Sequence, residues 1–509
     1  MSDRRVLLAS LLSIICISLY SQAILRNSKS NRIAAVRSAN SVSLESKVDI
    51  SGTAIKFPQE DTVSIESESL RLEIGSSTGA IRAVILKRFR DSTKQNALQI
   101  KGDNPLVWIQ DKSDSLKTEH VQVSENEAVI SLSRNGVPAY ELKYQLDEVS
   151  PLLKLSVQPK ADLASQEALL FTNWLRGDEL SSRQNRLEAY VTDLVDEKSK
   201  YKHLGAPWKG RKSVPRGTLL ALSERYFCLA VKSPKLWGET NFYSLGNHGI
   251  EAAADISGIV GSEPIEIYFG PRDFFRLRAA GFNKVFPIGM ISQIGLMLLA
   301  LLSWIAKYTH SYGMAIILFS GLVTGVMAPF TLMGFRSMKR MQELKPQVDK
   351  LMAQHKSDPQ KANKEVFALY KENKVSPLGG CLPMLLQMPI FIALFQAMSH
   401  FIDLRGTTFL KIQDLSLPDG LIHLPFQAPL VGNTINFLPI IMAGAMFLQT
   451  RASQKSMGTS ADNPTAQMMN GPIMPVMFLF MFYQFPSGLV LYWLTNSIMG
   501  MLLYKLGNR

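Results

Sequence analysis

Residues 312–333 read YGMAIILFSGLVTGVMAPFTLM, a run with no charged side chain, and its reading decides the fold. As a helix it spans about 33 Å, enough for a hydrocarbon core of about 30 Å. Yet Ser320, Thr324 and Thr331 fall on one helical face, Gly321 and Gly325 form a G-x-x-x-G, and Pro329 interrupts the middle. In hydrocarbon a hydroxyl costs free energy unless it is paired or wet. Two readings fit this stripe. One is ordinary interhelical hydrogen bonding, worth about 0.6 kcal/mol per bond. The other is the wall of a polar cavity shared with other helices. Spacing alone leaves both open.

Similar runs follow at 377–400, 431–449, 468–484 and 487–505, so the chain reads as an α-helical membrane protein with a five-helix core. Neutral polar residues recur inside them: Gln387, Asn436, Gln449, Thr495 and Asn496. Pro383, Pro389, Pro439 and Pro475 interrupt them, each freeing a backbone carbonyl. None carries Asp, Glu, Lys or Arg in its interior, which counts against a proton- or ion-coupled transporter. Nothing resembles the charged rings or carbonyl filter of a channel. Upstream, 286–311 holds an interrupted apolar stretch. It is read as an interfacial helix region, because a span there would invert all later topology.

Toward the N-terminus the pattern changes. Residues 26–60 are polar and Ser-rich, a flexible linker by composition. In 61–285 the period becomes two: VSIESESLRLEIG (63–75), HVQVSENEAVISLSRNG (120–136), YELKYQLDE (140–148) and LLKLSVQ (152–158) alternate apolar and polar residues. Many short strands without helices between them predict an all-β domain of the antiparallel sandwich class. The first 25 residues place Arg4 and Arg5 before Val6–Leu25, long enough to span. A cleaved signal peptide competes with this reading. Its apolar core would be shorter and no A-x-A site follows, so 1–25 is read as a transmembrane anchor with a cytoplasmic N-terminus.

The net charge of +13 is concentrated beside the apolar runs. Residues 334–376 carry ten Lys or Arg, whereas 401–430 carries Arg405 and Lys411 against three Asp. This is positive-inside asymmetry, with 334–376 cytoplasmic and the β domain outside the inner membrane, in the periplasm. No nucleic-acid motif accompanies the charge. Met338, Met341, Leu344, Val348, Leu351 and Met352 recur at helical spacing, and Ser357-Asp358-Pro359 begins a second helix. Residues 334–376 therefore read as a helical hairpin whose apolar stripe is its seam. Three cysteines and scattered histidines supply no disulfide framework and no metal cluster. No G-x-S-x-G, P-loop, C-x-x-C or paired carboxylates appear, so no enzyme and no cofactor is predicted.

Three stretches resemble the YidC/Oxa/Alb family of membrane-protein insertases: VSPLGGCLPMLLQMPIFIALF (375–395), FALYKENKV just before it, and FPSGLVLYWLTNS (485–497). The order of anchor, large periplasmic β domain and five-span core is similar to the bacterial form with a large periplasmic domain. The resemblance implies a β-supersandwich and a helical core, 377–509 supplying the last four spans. It implies a hydrophilic groove, open to cytoplasm and lipid, along which nascent membrane-protein clients slide into the lipid bilayer, alone or with the Sec translocon. It also implies chaperone activity and no nucleotide. The alternative is a non-inserting assembly chaperone acting through the β domain. On the family pattern Ser320, Thr324, Gln387 and Trp493 would line the client groove, Gly321, Gly325 and Pro329 would shape helix packing, and Met338, Met341 and Leu344 would belong to the client-receiving hairpin. One departure stands out. The family pattern carries an arginine where this chain has Thr324, and Arg336, about 18 Å further along a helix, is too far to replace it. Some relatives hold the ribosome through a basic tail, which KLGNR after Tyr504 lacks.

Overall fold

The computed structural model describes residues 60–90, 96–101, 105–111, 116–160, 168–175, 188–195, 198–205, 211–244, 249–285, 290–355, 358–373, 375, 382–428, 432–457 and 473–507. The anchor at 1–25 and the linker up to residue 59 lie outside them. The chain divides into two compact units, one mainly β and one helical.

The β unit is built from two nine-stranded sheets whose strand pairs are all antiparallel. In the first, the path runs Thr62–Glu66, Leu70–Gly75, Ile81–Arg90, Val107–Asp111, Ala168–Leu175, Gly249–Asp255, Thr240–Ser244, Arg211–Val214, with Ala97–Lys101 added beside Ile81–Arg90. In the second, it runs Lys198–Gly205, Glu188–Val195, Gly217–Ser223, Phe227–Trp237, Ile265–Pro271, Leu152–Pro159, Val137–Leu146, Glu127–Arg134, Lys117–Val123. The alternation in sequence becomes alternation in burial: Leu70, Leu72 and Ile74 are enclosed while Arg71 is exposed. Side chains of period two point to opposite faces, so one apolar set from each sheet fills a single shared core. The Asn135-Gly136 turn joins two of these strands with both residues at positive φ, 51° and 79°. That is the geometry matching the right-handed strand twist, and Gly and Asn adopt it at least cost.

Strands Gly217–Ser223 and Ile265–Pro271 are buried on both faces rather than one. Their second face is covered by a short helix α1 (Phe274–Ala279) and the turn after it. Leu277, Phe282 and Val285 pack there on Leu219, Ala221, Ala230 and Tyr268. The unit also extends past residue 285. It takes in α2 (Met290–Thr309) as far as Trp304, and residues 389–417, which begin inside α6 (Leu382–Ser399). Arg225 is the reason 399–417 belongs with the sheets. Its Nε donates to the Ser399 carbonyl (2.8 Å) and its Nη2 to the Ser416 carbonyl (3.1 Å). Arg276 pairs with Asp403 at 2.8 Å.

The helical unit holds the rest of α2, α3 (Tyr312–Glu343), α4 (Lys345–Gln354), α5 (Pro359–Glu372), the first turns of α6, α7 (Phe437–Met457), α8 (Ile473–Phe482) and α9 (Ser487–Gly507). Both α2 and α3 are long and apolar enough to cross a membrane. Helix α3 continues ten residues past 333. The single amphipathic helix expected over 338–352 is instead two pieces: α3 ends at Glu343, and α4 starts at Lys345 with Pro346 in its first turn. Proline has no N–H to give to the preceding turn, so it suits the first turn of a new helix. Asp358 caps α5 by accepting from the N–H groups of Gln360 and Lys361, and His355 Nε2 lies 3.0 Å from Glu365 Oε2 across the hairpin.

The apolar run at 431–449 is helical only from Phe437. Residues Gly432–Ile435 form a strand paired with Ile422–Ala428. Asp419 fixes the helix start, its Oδ2 accepting from the N–H of Phe437 (2.7 Å) and Leu438 (3.1 Å). A carboxylate suits orphan N–H groups and the positive end of a helix dipole.

Candidate functional site

Helices α3 and α9 run parallel, side by side. Ser320 Oγ lies 3.5 Å from the Tyr492 carbonyl and Thr324 Oγ1 lies 2.6 Å from Asn496 Oδ1, both at a chain separation of 172 residues. Further along, Phe335 and Tyr504 meet edge to face with ring centroids 5.3 Å apart. Pairs that advance together along both helices, at offsets of 172 and then 169, are what parallel helices produce.

A polar seam therefore runs through otherwise apolar helices. Thr324 donates its hydroxyl to Asn496. Gln387 Nε2, from α6, donates to the Tyr492 hydroxyl at 2.5 Å. Ser320 donates chiefly to the carbonyl of Ile316 in its own helix (2.7 Å) and touches Tyr492 more weakly. Exposure changes along the seam. Ser320 and Tyr492 are both 0% exposed, whereas Thr324 and Asn496, one turn or about 6 Å further on, are half-buried. The seam is thus sealed at the Ser320 level and partly open at the Thr324 level, toward the end of α3 that leads into α4 and α5.

The sealed end has a second lock. Asn436 Oδ1 accepts from the Gly420 N–H (2.9 Å), and its Nδ2 donates to the Tyr483 carbonyl (2.7 Å). The Tyr483 hydroxyl accepts from the Asn436 N–H and donates to the Thr434 carbonyl, both at 3.2 Å. These groups join the start of α7 to the end of α8, just before α9 begins. Every partner is a backbone group or a fully committed side chain, which makes the lock rigid.

Of the residues singled out from sequence, Ser320 and Thr324 of α3 and Gln387 of α6 come together against Tyr492 and Asn496 of α9. Trp493 packs instead on Phe478 and Phe482 of α8, with ring centroids 5.3 and 5.1 Å away. Its neighbour Tyr492 is the seam residue, and the sequence reading passed over it. The signal was there: Tyr492 and Asn496 repeat the four-residue spacing of Ser320 and Thr324. Gly321 is half-buried and Gly325 exposed, and among the described residues a Cβ at either would meet nothing within 4 Å. Close approach occurs at other glycines. A Cβ on Gly500 of α9 would lie 2.5 Å from Gln449 Nε2 of α7, and one on Gly295 of α2 would lie 2.6 Å from the Ala393 carbonyl of α6. Pro329 is exposed within α3. Met338 falls near the end of α3, Met341 is half-buried there, and Leu344 is buried at the junction with α4.

Among the described residues the groups that meet in the seam are hydroxyls, amides and backbone carbonyls, so its chemistry is hydrogen-bond exchange. Elsewhere, burial pushes the Cys228 thiol up to about 12, far from a reactive thiolate. Among the described residues no three His, Cys, Asp or Glu side chains are grouped to hold a metal ion.

Comparison with known proteins bears on the helical unit. The family model described as 60Kd inner membrane protein matches residues 304–508. The membrane protein insertase YidC of Geobacter sp. (strain M21) is 40% identical over 236 residues, 46% of this chain and 40% of that protein. The membrane protein insertase YidC of Cupriavidus pinatubonensis (strain JMP 134 / LMG 1197) is 35% identical over 305 residues, 57% of this chain and 51% of that protein. The chain spans about half the length of the curated relatives it matches. A crystal structure of an active YidC insertase with its first transmembrane domain resolved is similar over 88% of this chain and 92% of that one. Its identity is 18% and its TM-score 0.39, a likeness too slight to carry a functional argument.

Proposed function

We propose that this chain inserts nascent membrane proteins into the bacterial inner membrane and helps them fold, because residues 304–508 match the family model described as 60Kd inner membrane protein and resemble the YidC insertases. The observation that carries the reading is the seam between α3 and α9: polar groups inside apolar helices, sealed at one end and partly open at the other.

The steps follow from the chemistry of the seam. With α3 entering from the periplasmic side, its sealed Ser320 level faces outward and its Thr324 level faces the cytoplasmic hairpin, 334–376. A client's polar flank arriving from the hairpin exchanges hydrogen bonds with Thr324, Asn496 and Gln387, so it crosses part of the bilayer without becoming unpaired. Thr324 and Asn496 hold each other in the empty seam and release together, donor and acceptor both becoming available. The client's apolar span meanwhile partitions into lipid, and that burial is the driving force, with no nucleotide and no cofactor. Thr324, Gln387 and Trp493 are the client contacts, Trp493 from the aromatic side of α9, and the fully buried Ser320 closes the seam beyond them. Clients are nascent membrane proteins, taken alone or from the Sec translocon.

Thr324 brings a donor and an acceptor but no charge. A neutral seam attracts acidic tails less than an arginine would, so clients with uncharged tails are handled relatively well. The test is site-specific crosslinking of the full chain in membranes. Photoreactive side chains at Thr324 and Trp493 label a nascent single-span client, and one at Leu410, in the loop between α6 and α7, does not. Absence of labelling at both Thr324 and Trp493, with client translated and targeted, overturns the proposal.

A further inference from the structure

The β unit holds a cavity of about 920 Å³ that the seam does not involve. Its lining includes the aromatic and aliphatic side chains of Phe89, Tyr226 and Leu86. Its rim carries four arginines, Arg88, Arg90, Arg276 and Arg405, against two carboxylates, Asp403 and Asp414. Both carboxylates are already engaged. Asp403 pairs with Arg276, and Asp414 Oδ1 accepts from the N–H and hydroxyl of Ser416. Positive charge is left over. Arg88 reaches only an exposed Glu68 at 3.5 Å, and the Arg90 guanidinium makes no hydrogen bond or ion pair among the described residues. The rest of the lining mixes Ser69, Ser150, Gln413 and Ser416 with apolar residues, of which Val149 at 60% and Leu417 at 39% exposure are open to solvent.

The cavity is preformed. Its 402–417 wall is fastened to the sheets by Arg225, by Arg276–Asp403, and by Arg405 Nη1 donating to the Arg90 carbonyl at 2.8 Å. It also lies next to apolar helices. Helix α6 ends at Ser399, three residues before Ile402 in the wall, and α2 begins ten residues after Ala280. These helices meet within the same unit, where Gly295 lets α2 approach the Ala393 carbonyl.

We infer that this cavity is a binding site for a phosphate-bearing anionic amphiphile, and that the occupant is the headgroup of an anionic phospholipid. Arg90, without a side-chain partner among the described residues, and Arg88, held only by an exposed ion pair with Glu68, suit a phosphodiester, for which Arg provides paired donors in a planar fork. The exposed apolar residues of the rim suit glycerol and the first acyl carbons. A soluble anion has no use for that rim, and a cavity beside the ends of apolar helices lies at headgroup depth. The inference concerns the β unit only, and its readout is lipid occupancy, so it stands or falls independently of client insertion.

The test uses the full chain in nanodiscs of phosphatidylcholine with a minor fraction of phosphatidylglycerol. A benzophenone side chain placed at Leu417 reports its neighbours by mass spectrometry. Each cation near a bilayer surface favours an anionic lipid by roughly fivefold, so two give an enrichment of phosphatidylglycerol adducts of up to about 30-fold over its mole fraction. Arg88→Gln with Arg90→Gln, both exposed and neither fastening the wall, returns the adducts to the mole fraction while thermal unfolding is unchanged. Adducts at the mole fraction in the parent chain overturn the inference. Suppression of the lipid adduct by inorganic phosphate would reassign the cavity to a soluble anion. A polypeptide adduct in place of lipid, when the photoreactive chain is made in cells, would reassign it to clients.

Discussion

Removing the Thr324 hydroxyl is the sharpest probe of the seam. Thr324→Val keeps the β-branched shape and volume, so packing between α3 and α9 is retained and only the 2.6 Å bond to Asn496 Oδ1 is lost. An interhelical hydrogen bond in a membrane protein contributes about 0.6 kcal/mol on average and about 1.7 kcal/mol at most. Asn496 is half-buried, so water can replace part of the lost donor and the upper figure is not reached. The expected loss is about 1 kcal/mol, roughly a fivefold change in the unfolding equilibrium constant. The assay is reversible unfolding of the purified chain in mixed micelles, run as a cycle with Asn496→Leu and the double variant. A coupling of about 0.6–1.7 kcal/mol between the two sites is expected. A coupling indistinguishable from zero would mean that the bond contributes nothing, and the seam would lose its role as a latch. Thr324→Arg extends the same logic: it breaks the latch and adds charge, so it should destabilise the empty protein while shifting client preference toward acidic tails.

The glycines give a second, opposed pair of outcomes. Gly295→Ala should destabilise by about 1–3 kcal/mol because its Cβ meets a backbone carbonyl that cannot move aside, whereas Gly321→Ala and Gly325→Ala should be neutral or stabilising by up to about 1 kcal/mol, as Ala replaces Gly in an open helix face; thermal unfolding in detergent separates them. In the β unit, burial pushes the Glu60 carboxyl up, but hydrogen bonds from Ser77, Thr78 and Arg82 outweigh it and hold it below its ordinary value of 4.5. A lowered folded value means that this stability is complete above the ordinary value and is lost as pH falls through the lower folded one. Glu60→Gln should therefore weaken the unit at neutral pH and flatten its acid transition, read by circular dichroism across that range. Asp358→Ala should cost the hairpin about 1 kcal/mol by uncapping α5, seen as faster amide exchange in its first turn.

The strands and the apolar helices were legible because each is a local repeat: period two in 63–158, long uncharged runs after 312. The Asn135-Gly136 hairpin is equally local, since the turn needs two residues at positive φ and these two supply them. The ends of elements were less legible where a distant partner sets them. Phe437 starts α7 because Asp419 caps it, and 432–435 is a strand because 422–428 lies alongside. Residues 401–417 read as part of a loop between spans, yet Arg225, nearly two hundred residues earlier, fastens this stretch to the sheets through the Ser399 and Ser416 carbonyls.

The candidate site divides in the same way. Sequence by itself determined that α3 and α9 carry neutral hydroxyls and amides at four-residue spacing, and that Thr324 brings no charge where the resembling family has one. It could not decide whether those groups face a cavity or one another, because periodicity fixes only the face a residue occupies on its own helix. That needed the register between two helices 172 residues apart, and with it the pairing of Thr324 with Asn496 and the choice of Tyr492 over Trp493. Packing decided the rest. The glycines that allow close approach are Gly295 and Gly500, not the G-x-x-x-G pair, since a missing Cβ matters only where a neighbour occupies its place.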